Sequence, residues 1–270
     1  MEDTAALRPS PPPAWLTLFA TFTGNLFLLV GSLILGLVAI LVSWLPPRGN
    51  WTFAVARLWA HSLLRASCLR VVVHRTAELD PTASCIFLSN HQSLFDIPVL
   101  LATVPNQVRL MAKRSLFRIP IFGWALAAGG FIPIDRGDRS TARQSFASAM
   151  ERLRGGTSIL LFPEGTRATT DTLLPFERGG FLLAMKLGLP IVPVGIRGTR
   201  AIQRRGNWAI RPGTVEVRYG APIVVADYGL RRKRELIAEV RRQVAELAAL
   251  DPGVDAEERG PAAALPDGTL

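Results

Sequence analysis

Two hydrophobic rhythms divide the chain. From Pro9 to Pro47 no residue is charged, and between Trp15 and Trp44 almost every position is apolar. About 30 helical residues reach roughly 45 Å, longer than the roughly 30 Å hydrocarbon core of a bilayer, so a tilted, kinked or two-piece membrane helix is expected. Gly24-Asn25 and Gly31-Ser32 are the places for it to bend, and Pro46-Pro47 with Gly49 end it. The next stretch is amphipathic. Arg57, His61 and Arg65 recur four residues apart as one basic stripe, with Trp51, Phe53, Val55, Leu58, Trp59, Leu63 and Leu64 over much of the remainder. Such a helix lies on anionic headgroups or packs on a folded domain, and the pattern favours neither.

From Leu69 the rhythm becomes short apolar runs alternating with helical periods. The runs Leu69–His74, Cys85–Ser89, Val108–Ala112, Phe131–Ile134, Ser158–Phe162, Ile191–Ile196 and Val215–Tyr219 predict strands, several of them continuous enough for a sheet covered on both faces. Helices are predicted over Ser140–Arg154, over Gly179–Leu187 ahead of Gly188 and Pro190, and over about Arg232–Leu250 with Leu236, Val240, Val244 and Leu247 as the buried seam. The order implies an α/β domain with a largely parallel sheet flanked by helices. The division expected is an N-terminal extension (1–14), a membrane-embedded segment (15–45), an amphipathic interfacial helix (46–68), the α/β domain (69–250) and a disordered tail (251–270) rich in Ala, Pro, Gly and acidic residues.

Composition sharpens this picture. A chain of 270 residues holds one full core plus a smaller attachment, and a net charge of +10 points to an anionic partner: nucleic acid, a membrane surface or a phosphorylated substrate. Hydrophobic content of 49% favours the membrane with its anionic lipids over nucleic acid. The cationic run Arg231-Arg232-Lys233-Arg234 opens a helix with an apolar seam, so a solvated or headgroup-facing surface accounts for it and no nucleic-acid partner is expected. Glu2 and Asp3 at the start, with so long an apolar stretch, argue against a cleaved signal peptide. Trp15 and Trp44 stand where interfacial anchors do. Arg48, Arg57, Arg65 and Arg70 follow the segment against Arg8 before it, which puts the bulk of the chain on the cytoplasmic side. The two cysteines, Cys68 and Cys85, fall in or beside apolar runs and read as buried thiols.

Candidate chemistry sits at strand ends. The run Cys85–Ser89 delivers Asn90, His91, Gln92, Ser93, Leu94, Phe95 and Asp96. Residues five apart share no helical face, so His91 and Asp96 meet only if the chain turns back between them. The carboxylate would then fix the imidazole tautomer and leave the other ring nitrogen to take a proton from a hydroxyl. The strand Ser158–Phe162 runs into Pro163-Glu164-Gly165-Thr166-Arg167, where Gly165 allows close backbone approach, Thr166 offers a hydroxyl and Arg167 a fork suited to phosphate. The strand ending at Ala112 presents Lys113 and Arg114. Ligands of α/β folds bind at the carboxyl ends of strands, so the three ends together point to a phosphate-bearing substrate with a reactive hydroxyl.

These residues resemble the glycerolipid acyltransferase family, typified by 1-acyl-sn-glycerol-3-phosphate acyltransferases. Its motif Asn-His-x-x-x-x-Asp matches Asn90, His91 and Asp96. A second resembles Lys113 to Phe117 through Ile119 to Trp124 and on to Gly130–Arg136. The third, Phe-Pro-Glu-Gly-Thr-Arg, is complete at Phe162–Arg167, and the fourth is similar to Ile191–Ile196. Four ordered motifs across about residues 86–199 are far more specific than one. The resemblance implies transfer of an acyl group from acyl-CoA or acyl carrier protein to a lysophospholipid hydroxyl in phospholipid biosynthesis, with no metal and no cofactor. It implies His91 as general base, Asp96 as its orienting group, and Lys113, Glu164, Gly165, Thr166 and Arg167 as the site for the acceptor's phosphate and glycerol. A carboxylate repels phosphate, so Glu164 is expected on a glycerol hydroxyl or a neighbouring cation. Where the family often has Phe-Lys-x-Gly, this chain has Phe176-Glu177-Arg178-Gly179, and Arg178 is the expected substitute cation. Ala168 and Ser115 also depart from the pattern.

Alternatives of other kinds stay open at this level. Ser93 or Cys85 as nucleophile would make a hydrolase or transacylase, although Cys85 opens an apolar strand and reads as inert. A different lysolipid acceptor, or a catalytically silent membrane-anchored lipid-binding protein, fits the same anchor. His61 and His74 show no ligand spacing with His91, which disfavours a metal site.

Overall fold

The computed structural model describes residues 12–46, 49–134, 147–151 and 156–253. All seven expected strands form: β1 (Leu69–Arg75), β2 (Ile86–Ser89), β3 (Val108–Lys113), β4 (Ile132–Ile134), β5 (Ser158–Leu161), β6 (Ile191–Arg197) and β7 (Gly213–Tyr219). They make one sheet in the order β1-β7-β6-β2-β5-β3-β4. Every neighbouring pair is parallel except β6 and β7, so β1 and β7 run against the other five. Among the described residues the longer helices are α1 (Ala14–Leu26), α2 (Ser32–Val42), α3 (Asn50–Ala66), α4 (Asp96–Thr103), α5 (Phe122–Ala128), α6 (Gly179–Leu187) and α7 (Lys233–Ala248), with a π-helical turn, Phe27–Gly31, joining α1 to α2 and a single helical turn, Thr199–Ile202, after β6. The helix expected over Ser140–Arg154 lies outside the described residues except for 147–151, which are helical.

The central strands read as unbroken apolar runs because both faces are covered. Phe87 and Leu160 face α3 and α4, where they meet Phe53, Leu63, Leu64, Val99 and Leu100. Ile86, Leu88, Ile159 and Leu161 face α6 and α7, meeting Phe181, Leu183, Leu236, Val240 and Val244. The seam of α7 ends on Ala248 rather than Leu247, which is half-buried. Asp251 is tied back by a bridge to Thr172, and residues 254–270 of the expected tail lie outside the described ones.

Ala14–Val42 is one 29-residue helical stretch of mean hydropathy 2.6, long and apolar enough to cross a membrane. It buries little but its small residues, Ala20, Gly24, Gly31, Gly36 and Ala39, while Leu18, Phe22, Leu29 and Leu41 are exposed. Small residues allow close approach to the domain: a Cβ on Gly24 would stand 2.7 Å from Ser67 and Ile210 side chains, and one on Gly36 3.1 Å from Ile121. Trp59 Nε1 donates to Ser32 Oγ at 2.9 Å, and Thr23 Oγ1 to the Ala66 carbonyl at 2.5 Å. A bare apolar surface of this size on a soluble chain would associate, so the exposed side of this helix is suited to lipid. The amphipathic α3 buries Phe53, Ala60, Leu63 and Leu64 on the domain and leaves His61, Arg65, Trp51 and Leu58 exposed.

Helix α7 lies so close to β6 that a Cβ on Gly195 would stand 2.3 Å from the backbone carbon of Leu247 and 2.4 Å from the Ala248 nitrogen. Backbone cannot step aside as a flexible side chain can. Gly195→Ala is therefore expected to cost about 3 kcal/mol or to prevent folding, read by urea denaturation or by loss of soluble expression in detergent.

Candidate active site

The parallel strands β2, β5, β3 and β6 all end at one edge of the sheet, and each delivers part of the site there. After β2 the chain turns sharply, because Asp96, at the start of α4, draws the loop back onto itself. Its Oδ2 accepts the His91 Nδ1–H at 2.7 Å and the backbone N–H groups of Gln92 and Ser93 at 2.7 and 2.8 Å. Asp96 is fully buried, whereas the His91 side chain is 14% exposed. A carboxylate in the first turn of a helix is also favoured by the helix dipole. The five-residue spacing thus closes through a turn, as expected. The imidazole ring stacks on Phe162, centroids 4.0 Å apart and planes 15° apart, which holds its second nitrogen toward a cavity that both residues line.

Asn90, given no task by the sequence reading, ties the site strand to its neighbour. Its Nδ2 donates to the Ile196 carbonyl at 2.9 Å and its Oδ1 accepts the Ile196 N–H at 2.7 Å. Ser93 donates through Oγ to the Gln203 carbonyl at 2.9 Å and accepts the Phe95 N–H. It is completely buried and away from the cavity lining, which removes it as a nucleophile. Burial pushes the Cys85 thiol up to about 11, and Cys85 does not line the cavity either. No cluster of three His, Cys, Asp or Glu residues suited to a metal ion occurs among the described residues.

The cavity measures about 850 Å³. Lys113 and Arg114 border it from the end of β3, and Gly165, Thr166 and Arg167 from the loop after β5, as expected. Leu94, Ile97, Leu110 and Leu116 give it an apolar wall, and Arg118 and Arg205 add two cations. Neither cation was singled out from the sequence; Arg118 is the second Arg of the run Lys113–Arg118, a spacing that carried the signal. Gly165 has φ +75°, a conformation glycine adopts without strain, so the loop can fold tightly against the site.

Two expected ligands stand elsewhere. Glu164 is 5% exposed and absent from the cavity wall; Oε1 accepts the His91 backbone N–H at 2.7 Å and Oε2 the Leu174 N–H at 2.8 Å. It braces the chain at His91 because two buried amides need an acceptor, and Arg241 is the neighbouring cation, near enough to favour its charged form. Arg178 precedes the first residue of α6 and is exposed outside the lining, while Glu177 and Gly179 border the cavity. The helix turns Gly179 and Gly180 inward and leaves Arg178 outside.

Burial raises the Glu164 carboxyl from 4.5 to about 7, a push eased by the Leu174 and His91 amides, increased by Asp96 and eased by Arg241. Between those values the folded protein keeps a proton that the unfolded chain has released. The stabilisation from this group is therefore full below about pH 4.5 and is lost as pH rises through about 7. Urea denaturation of wild type and Glu164→Gln should show the wild type losing stability relative to the variant between pH 4.5 and 7. A pH-independent difference would remove Glu164 as the source.

Comparison with known proteins agrees with this geometry. A family model described as Acyltransferase matches residues 70–197. Over 208 residues the chain is 31% identical to a 1-acyl-sn-glycerol-3-phosphate acyltransferase of Pseudomonas aeruginosa, covering 76% of this chain and 80% of that one. It is 37% identical over 164 residues to a chloroplastic 1-acyl-sn-glycerol-3-phosphate acyltransferase of Brassica napus, covering 60% of this chain and 46% of that one. The chain thus spans about half the length of such plant relatives. The crystal structure of the 1-acyl-sn-glycerophosphate (LPA) acyltransferase PlsC from Thermotoga maritima superposes with a TM-score of 0.73 at 26% identity, covering 86% of this chain and 96% of that one. With its motif residues assembled at one sheet edge and a bacterial relative matched over most of both lengths, the chain belongs to the acyltransferase family.

Proposed function

We propose that the protein transfers a fatty acyl group from an acyl thioester, acyl-CoA or acyl carrier protein, to the free hydroxyl of 1-acylglycerol 3-phosphate, giving phosphatidic acid. The observation that carries this reading is the His91–Asp96 pair, 2.7 Å apart, opening on a cavity lined by both apolar side chains and cations. With Nδ1–H held by Asp96, Nε2 is free to remove the proton of the acceptor hydroxyl as that oxygen attacks the thioester carbonyl carbon. Collapse of the tetrahedral intermediate breaks the C–S bond, and the leaving thiolate takes the proton back from His91. Backbone N–H groups of the turn Gly165–Arg167, which borders the cavity, are suited to the developing oxyanion. Lys113, Arg114 and Arg167 suit the acceptor's phosphate, and Leu94, Ile97, Leu110 and Leu116 suit an acyl chain. No cofactor enters this scheme.

Both lipid substrates partition into membranes; the exposed apolar side of Ala14–Val42 supports a bilayer as the protein's resting place, and the net charge of +10 supports anionic lipids in it. The arginines following that segment, Arg57, Arg65 and Arg70, favour the cytoplasmic face.

Thiol release from an acyl-CoA by detergent-purified protein tests the reading. Release is expected to depend on lysophosphatidic acid and to yield phosphatidic acid. His91→Ala is expected to lose about 10²–10⁴ in kcat, and Asp96→Asn, which presents an amide to three N–H donors, a comparable factor. Release without acceptor would mark a hydrolase, and silence with both donors a lipid-binding protein.

A further inference from the structure

The site carries more positive charge than one phosphate needs, and the charge is divided. Along the sheet edge β6, β2, β5 and β3 are consecutive, so the ends of β6 and β3 stand three strand spacings, about 14 Å, apart with His91 between them. Lys113 and Arg114 lie at the β3 side. On the β6 side a separate cleft of about 430 Å³ is lined by Gln92, Ala168, Thr169, Arg200, Arg204 and Arg205. Arg205 borders both this cleft and the His91 cavity.

The cleft is held to the catalytic loop from several directions. Ala168 N–H donates to the His91 carbonyl at 2.8 Å, Gln92 Nε2 to the Thr170 carbonyl at 2.9 Å, and Ser93 Oγ to the Gln203 carbonyl at 2.9 Å. Gln203 is buried, so the backbone bearing Arg204 and Arg205 is anchored directly to the loop that positions His91. Arg200 is fixed by the Thr169 carbonyl and the Asp171 carboxylate. Arg204 and Arg205 have no carboxylate partner among the described residues. Arg205 also stands near enough to Arg167 to depress that guanidinium's proton affinity, after the larger effect of burial. Like charges converging on a walled cleft leave room for an anion to relieve them.

We propose that Arg204 and Arg205, supported by Arg200, form a second phosphate site on the opposite side of His91 from Lys113 and Arg114. The inference rests on the acyl-transfer reading for its ligand chemistry: acceptor and donor each carry a phosphate, and a reaction at His91 brings both substrates to this edge. The shared ligand is a phosphate group, from lysophosphatidic acid or from the phosphopantetheine-bearing donor. In the sequence the cluster falls after the last of the four motifs, which is why Gln203-Arg204-Arg205 resembles an ordinary solvated charge run there.

The test uses the full chain in detergent, with Arg204→Ser/Arg205→Ser, both single variants, and Arg205→Lys. All replace exposed side chains, and thermal unfolding checks the fold. Calorimetric titration uses glycerol 3-phosphate as probe for the acceptor's phosphate and desulfo-CoA for the donor's. One probe is expected to bind about tenfold more weakly to the double variant, with Arg205→Lys between it and wild type. Weakened glycerol 3-phosphate assigns the cleft to the acceptor, and weakened desulfo-CoA to the donor. Unchanged affinity for both probes overturns the site; so does failure of the wild type to bind either. Acceptor-dependent thiol release by wild type is scored separately: its absence, with probe binding still lost in the variant, overturns the activity and leaves the site standing.

Discussion

One carboxylate oxygen organises the centre of this protein. Asp96 Oδ2 collects the His91 ring N–H and two successive backbone N–H groups, and this converts a stretch with no helical or strand register into a rigid turn. A fully buried carboxylate without such donors would be strongly disfavoured, and the three donors together offset that cost. Orientation of the imidazole and shape of the loop therefore come from the same contact. The surrounding bonds keep the turn where the sheet needs it: Asn90 joins it to β6, Glu164 to the loop after β5, and Ser93 to the segment beyond β6.

Strands and the His91–Asp96 pair were readable from sequence because their causes are local. A strand buried on both faces has to be apolar throughout, and β2, β5 and β6 are. The reversed direction of β1 and β7 was not readable, since pairing direction leaves no mark on a short apolar run. Helix α4 was missed because eight residues, Asp96–Thr103, are too few to display a period beside so many apolar positions. The bracing role of Glu164 leaves no such mark: its hydrogen-bond partners are main-chain amides of His91 and Leu174, and main-chain amides carry no sequence signature. Arg205 has no mark in the sequence because cavity lining depends on the fold, while its type, exposure and neighbours match those of a solvated surface.

The N-terminal helix has two unlike sides. A stripe of Gly and Ala lets it approach α3, α5 and the Ile210 region closely, and two hydroxyl or indole contacts fix its rotation. Its larger side chains then point outward with no protein to cover them. Inverting that arrangement, large residues inward and small ones outward, would make an ordinary core helix. The contact runs from Ala20 to Ala39, so the acyltransferase domain is carried alongside the apolar helix and not hung from its end. For the proposed reaction, whose acceptor and product are lipids, such an arrangement suits a domain held alongside a bilayer.

The division of charge at the site accords with what each sign would do to the phosphate of the proposed acceptor. Carboxylates repel it, yet Asp96 and Glu164 are indispensable to the loop geometry, and both are turned onto N–H groups and away from the cavity. Cations attract it, and Lys113, Arg114, Arg118, Arg167 and Arg205 all border the cavity. Buried acids set the geometry while surface bases set the potential, and neither group performs the other's task. The raised affinity of Glu164 for a proton is the consequence of that separation: a carboxyl withdrawn from water to brace His91 is also withdrawn from the solvent that would keep it ionised. Glu177, bordering the same cavity, is the exception, and it stands where the family pattern has a cation. Cations are supplied to the cavity from the β3 side by Lys113, Arg114 and Arg118 and from the β5 and β6 side by Arg167 and Arg205.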